Sequence, residues 1–369
     1  MKVLQTVKFY HPSKGGMESV VKNIVDGVKA LDPKYDFSIY ANNHYPSLAK
    51  TSQKKTQITV IKERTPILFK SQPLNLRYAS LKKLIIENEV IHHHYPFPNM
   101  EIALWRYRSL LKGKKLIVTW HANISNSRWS WIKRIYNPLI ERLLSLSEVI
   151  VVTSPQLFEN SDILKKYESK VRVIPLSFDP LFSLFQGKKL GTGSKKLLFV
   201  GKLRKYKGLK YLIEAIQPLD VTLTIVGDGE EEENLRLQVE AFGLQSKVFF
   251  LKNIDNQSLA NIYSLSEIFI LPSINEAEAF GVVQLEALAN GLPVINTSLK
   301  SGVPYVSVDG ETGFTVCPQS VSELREAITK LITNPDLYSE FSINAAKRAR
   351  LFTREVMANS YLELYANEK

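Results

Sequence analysis

Two hydrophobic periods alternate along the whole chain. Short runs of branched apolar residues, typical of buried parallel strands, are followed by stretches with apolar residues three and four positions apart, typical of amphipathic helices. Strands are predicted at 3–7, 58–61, 90–91, 116–120, 149–152, 171–174, 197–200, 221–226, 248–251, 268–271 and 294–295. Because strand and helix alternate in both halves, the chain is predicted to be an α/β protein with two doubly wound, Rossmann-like domains.

The length of the chain also favours two domains. At 369 residues it is long for a single core. Residues 186–196 are rich in glycine, lysine and serine, a composition typical of a linker. We therefore predict an N-terminal domain over 1–185, a C-terminal domain over 186–350 and a helical segment over 351–369. Within the first domain, a leucine-rich helix is predicted over 74–86.

Composition narrows the cellular setting. Cys317 is the single cysteine, so no internal disulfide can form. Hydrophobic residues make up 44% and charged residues 23% of the chain, and no apolar run reaches the roughly 20 residues that cross a bilayer. The first residues show no secretory cleavage pattern. The expected location is the cytoplasm.

The net positive charge of the chain comes entirely from its first half. Residues 1–180 carry 28 lysines and arginines against 14 acidic residues, whereas the remainder carries 20 against 22. Such a surplus attracts nucleic acid, an anionic membrane or a phosphorylated substrate. Within the stretch 127–146, cations beside aromatic residues suit a membrane interface, although an ordinary amphipathic helix with a basic outer face is an equal alternative. The residues concerned are Trp129, Trp131, Lys133 and Arg134.

The stretch from Leu271 to Thr297 carries the strongest chemical pattern. It combines a strand end, a loop containing Glu278, a helix predicted to open at Gly281, and a stop before the next strand. Free amides at a helix start attract phosphate, and Gly281 is expected to let a ligand come close. Ionised carboxylates accept hydrogen bonds from hydroxyls, so Glu278 and Glu286 are predicted to bind one nucleotide-sugar.

Other loops at strand ends add candidates. Gly15 and Gly16 follow the first strand, and His121 follows the strand at 116–120, where open α/β sheets place ligands. The histidines at 92–94 lack partners with metal-ligand spacing, so a strand end is favoured over a metal site.

The loop after the strand at 197–200 is crowded with cations. Lys202, Arg204 and Lys207 form a candidate clamp for a diphosphate. The chain contains no Asp-x-Asp pair, which is the usual metal bridge for a diphosphate. No metal and no cofactor are therefore expected.

The run EAFGVVQLEALANGLPVI at 278–295 resembles the signature of family-four retaining glycosyltransferases. The resemblance implies the GT-B fold, in which two domains face each other across a cleft and the terminal segment crosses back to the first domain. It implies catalytic roles for Glu278 and His121, and donor contacts from Gly15, Gly16, Lys202 and Lys207, with Arg204 beside them. Further donor contacts are implied for Phe280, Gly281, Val282, Val283 and Glu286.

The chain departs from that family at two positions. Lys202 stands where an arginine is usual, which keeps the charge but loses the bidentate fork and leaves open whether Arg204 takes over that work. Asn123 stands where some relatives carry an acidic residue.

The resemblance extends to bacterial mannosyltransferases of cell-envelope polysaccharide synthesis. It implies transfer of mannose from GDP-mannose. The positive surplus of the first half and the aromatic and cationic residues of 127–146 fit a polyprenyl-diphosphate-linked or other glycan acceptor at the inner face of the cytoplasmic membrane, where the protein is expected to bind peripherally. A UDP-sugar transferase and another GT-B enzyme, such as an epimerase or phosphorylase, are alternatives. Nucleic acid is not expected as a partner, because the cations are scattered and no recognition motif occurs.

Overall fold

The computed structural model describes residues 1–12, 15–45, 48–55, 57–69, 72–75, 78–123, 133–182 and 195–366. The chain forms two compact units, one made of Met1–Leu176 with Arg354–Lys369 and the other of Ser177–Thr353. The sequence-based boundary at residue 185 falls in 183–194, outside the described residues. None of the described helices is long and apolar enough to span a membrane.

The first unit is built on a sheet of eight strands in the order β10-β9-β8-β7-β1-β2-β4-β3. Neighbouring strands are parallel except for the β3–β4 pair, and β5 and β6 form a separate hairpin. The strands are β1 Lys2–Thr6, β2 Asp36–Asn42, β3 Thr51–Lys55, β4 Ile58–Glu63, β5 Ile67–Phe69, β6 Gln72–Leu74, β7 Val90–Tyr95, β8 Lys115–Trp120, β9 Val149–Val152 and β10 Val171–Val173.

Helices cover this sheet on both faces. One face carries the main apolar core, in which Leu4, Ile91 and Val118 pack against Met100 and Ile140. On the other face the last helix lies beside the first, so closely that a Cβ at Gly27 would come within 2.7 Å of Ala358 Cβ. The helices are α1 Gly16–Leu31, α2 Leu81–Glu87, α3 Pro98–Arg106, α4 Lys133–Leu146, α5 Pro155–Glu159, α6 Asp162–Lys165 and, from the chain end, α14 Arg354–Ala366.

The second unit has a parallel sheet in the order β13-β12-β11-β14-β15-β16. Its strands are β11 Lys195–Val200, β12 Val221–Val226, β13 Val248–Leu251, β14 Ile268–Ile270, β15 Val294–Thr297 and β16 Gly313–Val316. The strand order reverses between β11 and β14, and open α/β sheets bind ligands beside the carboxyl ends of strands at such a point. The helices are α7 Leu209–Ala215, α8 Glu232–Ala241, α9 Asn256–Leu265, α10 Val283–Ala289, α11 Val303–Val306, α12 Val321–Thr333 and α13 Pro335–Ala349.

The helix predicted over 74–86 is wrong in its first half. Leu74 ends β6 and pairs with Ile67 across the β5–β6 hairpin, and the helix begins only at Leu81. Leucine spacing suited a helix here, but pairing with a strand that precedes it in the chain decided the local structure.

Candidate active site

The cation-rich loop and the acidic loop meet at the switch point of the second sheet. The first loop follows β11 and the second follows β14, and the Ile274 amide donates to the Tyr206 carbonyl at 2.8 Å. Gly208 has a φ of +70°, and a Cβ there would overlap the Pro272 carbonyl oxygen. A glycine is therefore required for the two loops to approach this closely.

Glu278 is held by a buried lysine from the other loop. Its carboxylate forms an ion pair with the Lys207 ammonium and accepts a hydrogen bond from the Ser273 hydroxyl at 3.1 Å. Glu278 is only 8% exposed and Lys207 only 7%. Burial lowers the pKa of Lys207, but the Glu278 and Tyr206 side chains outweigh it, so the net shift is upward and the ammonium stays charged.

Glu286 is the fourth residue of α10 and its carboxylate accepts a hydrogen bond from the Tyr263 hydroxyl at 2.7 Å. Burial raises the pKa of Glu286 to about 7, the Tyr263 hydroxyl partly opposes that rise, and the negative charge of Asp179 adds to it. A carboxyl with this pKa is about half ionised at neutral pH, so a hydroxyl donor placed beside it would favour the charged form.

The turn between the two glutamates differs from the sequence-based prediction. The helix begins at Val283 instead of Gly281, because Gly281 has a φ of +73°, in the left-handed region that an α-helix excludes. A Cβ at Gly281 would lie 2.7 Å from Leu271 Cδ2, so backbone geometry and packing account for the glycine. Phe280 is buried, and the amides of 280–283 donate to no described residue.

The other predicted clamp cations are solvent-exposed. Lys202 forms an ion pair with Asp228, and both side chains are at least half exposed. Arg204 is also exposed and precedes the short 3-10 helix Lys205–Lys207. Of the three cations predicted to bind the diphosphate, Lys207 is therefore buried against Glu278, whereas Lys202 and Arg204 are exposed.

In the first unit, His121 follows β8 and is 8% exposed. Its Nε2 lies 2.9 Å from His94 Nδ1, and its backbone amide donates to the Tyr95 carbonyl. Burial, followed by an electrostatic effect of His93, lowers the pKa of His121 to about 3, so the ring is neutral at physiological pH. A neutral imidazole offers one donor and one acceptor.

Gly15 and Gly16 lie at the start of α1, where Gly15 is the N-cap with extended backbone. The Glu18 carboxylate lies against Gly15, and Glu18 is 8% exposed. Burial raises the pKa of Glu18, against weaker opposing effects of its own backbone amide and Lys8. The first turn of α1 therefore already contains an acidic side chain.

Asn123 has a structural role that an aspartate could not reproduce. Its side-chain oxygen accepts from Trp120 Nε1 at 2.8 Å, while its amide nitrogen donates to the carbonyls of Leu157 and Asn160, each at 3.2 Å. A carboxylate has no hydrogen to donate to those two carbonyls. The asparagine therefore ties the end of β8 to α5.

The predicted strand end at 92–94 proves to be the interior of β7, where all three histidine side chains are buried. His92 and His94 share one face, with ring centroids 4.4 Å apart, and His93 lies on the other, hydrogen-bonded to Thr6 and Glu101. Across the part of the chain that the structure describes, no group of three or more His, Cys, Asp or Glu side chains is arranged to hold a metal ion.

The predicted membrane residues are only partly covered by the structure. Trp129 and Trp131 lie outside the described residues. Lys133 and Arg134 form the first residues of α4, and their side chains are likewise not described.

Sequence reasoning missed the partners that set the chemistry of the two glutamates. Tyr263 belongs to α9 and Ser273 follows β14, and neither stands in a pattern that distinguishes it from ordinary core or turn residues. Asp179 lies 107 positions before Glu286 in the numbering. Such contacts depend on which strands become neighbours, so no local signal predicts them.

Comparison with known proteins supplies the class. The family model described as Glycosyltransferase Family 4 matches residues 14–180, and that described as Glycosyl transferases group 1 matches residues 183–348. The D-rhamnosyltransferase WbpZ of Pseudomonas aeruginosa is 31% identical over 366 residues, which cover 96% of this chain and 92% of the relative. The O-antigen chain mannosyltransferase C of Escherichia coli is 27% identical, over 99% of this chain and 98% of the relative.

Solved structures agree on the fold. Anabaena Alr3699/HepE in complex with UDP-glucose superposes with a TM-score of 0.74 and 20% identity, over 99% of each chain. Two Rossmann-like units with this switch-point site define a GT-B glycosyltransferase. The chain belongs to the family-four glycosyltransferases, and its relatives place it among enzymes of polysaccharide and O-antigen synthesis.

Proposed function

We propose that this glycosyltransferase moves mannose from GDP-mannose to a polyprenyl-diphosphate-linked or other glycan acceptor, with retention of the anomeric configuration and without a metal. The observation that carries the donor side is the pairing of Glu278 with Lys207 at the switch point of the second sheet. Mannose is favoured because one full-length relative is named as an O-antigen mannosyltransferase. The other is named as a rhamnosyltransferase, so a related hexose is the nearest variant.

The proposed donor contacts are of two kinds: amides and cations that bind the diphosphate, and carboxylates that accept hydroxyl groups. The free amides of 280–283 bind the diphosphate, with Lys202 and Arg204 as exposed cations that neutralise the leaving group. Glu278 accepts sugar hydroxyls and Glu286 accepts ribose hydroxyls. Gly15 and Gly16 are proposed to approach the diphosphate, and His121 is proposed to bind a hydroxyl of the transferred sugar.

Retention is assigned to a front-face reaction. The bond from the anomeric carbon to the leaving phosphate breaks as the acceptor oxygen bonds to the same face, and the departing phosphate takes the acceptor proton. A covalent alternative needs a carboxylate nucleophile close to the anomeric carbon. Glu278 is unsuited to that role because the ion pair with Lys207 and the hydrogen bond from Ser273, both to Oε2, lower the nucleophilicity of its carboxylate, whereas Oε1 can still accept sugar hydroxyls.

Donor choice is testable by thermal shift followed by a turnover assay. Because a ligand that binds only the folded state raises the melting temperature, we expect GDP-mannose to raise it more than UDP-glucose at equal concentration. With a polyprenyl-diphosphate-linked glycan present, only the stabilising donor should release its nucleotide. A UDP-sugar is the alternative, favoured by the Anabaena structure with UDP-glucose, and a larger shift with UDP-glucose would replace GDP-mannose by it.

A peripheral position on an anionic membrane is proposed for the first unit. Among the described residues, α3, the short 3-10 helix Arg108–Leu111 and α4 carry an aromatic and cationic surface. The Arg108 guanidinium lies 4.9 Å and the Arg142 guanidinium 5.8 Å from the Trp105 ring centre. Ile102, one helical turn before Trp105, is 52% exposed. Aromatic, basic and exposed apolar side chains together suit a headgroup region.

Flotation with liposomes containing anionic lipid tests this surface. We expect the native protein to float at low salt and a Trp129, Trp131, Lys133 and Arg134 quadruple alanine variant to lose most of that binding, because apolar and electrostatic contacts are removed together. The control is Lys82→Ala with Lys83→Ala, which removes the same positive charge from exposed positions of α2. Equal flotation of native protein and quadruple variant would rule out this segment as the membrane contact.

A further inference from the structure

A strip of polar side chains crosses the sheet face that α14 covers in the first unit. Parallel strands buried on both faces are normally apolar throughout, yet four buried polar side chains share this face. They are Gln5 of β1, His92 and His94 of β7, and Thr119 of β8, each 0% exposed. Buried polar groups at this density need a complete set of hydrogen bonds.

The strip connects His121 to the last helix of the chain. His94 Nδ1 lies 2.9 Å from His121 Nε2, and His94 Nε2 lies 2.8 Å from Gln5 Oε1. Gln5 Nε2 in turn donates to the Tyr365 hydroxyl at 2.9 Å. Three hydrogen bonds therefore lead from the residue after β8 to α14.

The same hydroxyl continues the chain through the second histidine. Tyr365 Oη lies 2.8 Å from His92 Nδ1, His92 Nε2 lies 2.7 Å from Thr119 Oγ1, and that oxygen lies 3.2 Å from the Tyr361 hydroxyl. Both tyrosines are nearly fully buried. Tyr361 is the last residue of this series of hydrogen bonds, and Gln5 lies in its middle.

Such a chain has a direction, and the Gln5 amide sets it. A neutral imidazole donates through one nitrogen and accepts through the other, and a hydroxyl can do either, whereas the two ends of an amide are fixed as acceptor and donor. With Gln5 Oε1 toward His94, His94 Nε2 carries a proton and His94 Nδ1 must accept. His121 Nε2 then carries the donated proton, which leaves His121 Nδ1 with a free lone pair.

The opposite amide orientation would reverse every bond and put the proton on His121 Nδ1. Burial lowers the pKa of His92 and of His94 well below the ordinary range, so both rings are neutral. Each ring therefore donates through one nitrogen and accepts through the other. Among the described residues, none forms a hydrogen bond with His121 Nδ1. That nitrogen is therefore the one available to a ligand.

We infer that Gln5, anchored by Tyr365, is a positioning residue that fixes the tautomer of His121, so that His121 presents a hydrogen-bond acceptor to a hydroxyl of the transferred sugar. The consequence for the sugar rests on the proposed function, whereas the tautomer does not. The terminal helix α14 thereby influences His121, at the carboxyl end of β8, through this series of hydrogen bonds.

Nitrogen-15 NMR of histidine-labelled protein tests the tautomer directly. The chain has six histidines, so a His121→Asn variant identifies the His121 signals by their loss. We expect His121 to show a protonated Nε2 and an unprotonated Nδ1 in the native protein. Gln5→Met, of similar length and unable to form these hydrogen bonds, should give mixed tautomers, and Gln5→Glu should restore the native one because a carboxylate accepts from His94 Nε2.

Two tyrosine variants provide a matched comparison on one helix. Tyr365→Phe frees the Gln5 amide and is expected to mix the His121 tautomers, whereas Tyr361→Phe, four residues earlier and beyond Thr119, should leave them unchanged. If Gln5→Met fails to fold, this pair decides alone. A protonated Nδ1 in the native protein, or native tautomers in Tyr365→Phe, would overturn the inference.

Kinetics link the tautomer to sugar transfer. We expect kcat in Gln5→Met and Tyr365→Phe to fall in proportion to the fraction of His121 that loses the native tautomer, about twofold for an even mixture, with the donor KM little changed and with recovery in Gln5→Glu. Mixed tautomers together with native kcat would overturn the role toward the sugar. Absence of turnover with every donor would count against the proposed function, while the NMR result would still stand.

Discussion

A Lys207→Met, Glu278→Gln double variant is expected to fold almost as stably as the native protein and yet to lose nearly all of its sugar transfer. Each single substitution leaves one charged or polar partner buried without its counterpart, and breaking a buried pair costs about 3 kcal/mol of unfolding free energy. Replacing both partners removes that penalty. Turnover should fall about a hundredfold or more in Glu278→Gln and in the double variant, because a neutral amide with one acceptor oxygen replaces the ionised carboxylate that accepts sugar hydroxyls.

This expectation differs from the sequence-based one. From sequence alone, Glu278→Ala is predicted to lower turnover far more than it disturbs folding. The buried ammonium of Lys207 changes that prediction, because removal of the carboxylate leaves this positive charge buried without its partner. Loss of activity in a Glu278 variant is therefore informative only when the stability of the same variant is measured.

Urea unfolding and turnover of the three variants separate the two roles. The matched control is Lys202→Met, which breaks the exposed pair with Asp228 and should cost less than about 1 kcal/mol. If the double variant is no more stable than the two single variants, replacing both partners does not remove the penalty and the expected stability of the double variant is wrong. Native turnover in Glu278→Gln would remove Glu278 from the reaction.

Glu286→Gln is expected to stabilise the ligand-free protein at pH 8 and to weaken its affinity for the donor. A carboxyl whose folded pKa is raised to about 7 stabilises the fold fully below its unfolded pKa, near 4.5, and loses that contribution as the pH rises through 7. Glutamine has no charge to bury. Since the native side chain keeps some exposure, the gain at pH 8 is about 1–2 kcal/mol and should disappear by pH 5.

Donor binding should respond to pH with the opposite sign. The ionised carboxylate is the better acceptor for ribose hydroxyls, so native affinity for a nucleotide-sugar is expected to rise between pH 6 and pH 8, whereas Glu286→Gln should bind about tenfold more weakly at pH 8 and show no such rise. The diphosphate of a nucleotide-sugar does not titrate in this range, so the dependence belongs to the protein. Calorimetry at several pH values measures it.

Tyr263→Phe is the companion variant. The Tyr263 hydroxyl lowers the pKa of Glu286, so its removal should move the midpoint of the pH dependence upward. A flat native profile, or an unchanged midpoint in Tyr263→Phe, would show that Glu286 does not titrate as the structure indicates.

The sequence by itself determined the α/β class, most strand positions and the two loops that are proposed to bind the donor. Parallel strands buried on both faces are mostly apolar, so strands such as β9 and β14 are visible as continuous hydrophobic runs. The loops at 201–208 and 271–282 follow two such runs and are recognisable by their glycines and charged residues. Both kinds of signal are local in the chain, which is why they can be found without a structure.

Only the tertiary structure decided which of these side chains act together. Glu278 and Lys207 are 71 positions apart, and Gln5 and Tyr365 are 360 apart. The order of strands in each sheet brings these pairs together, and hydrophobic periodicity does not specify that order. The ionisation of Glu286 and the hydrogen-bonding direction of His121 follow from those distant partners, because burial and neighbouring groups set the proton affinity of a side chain.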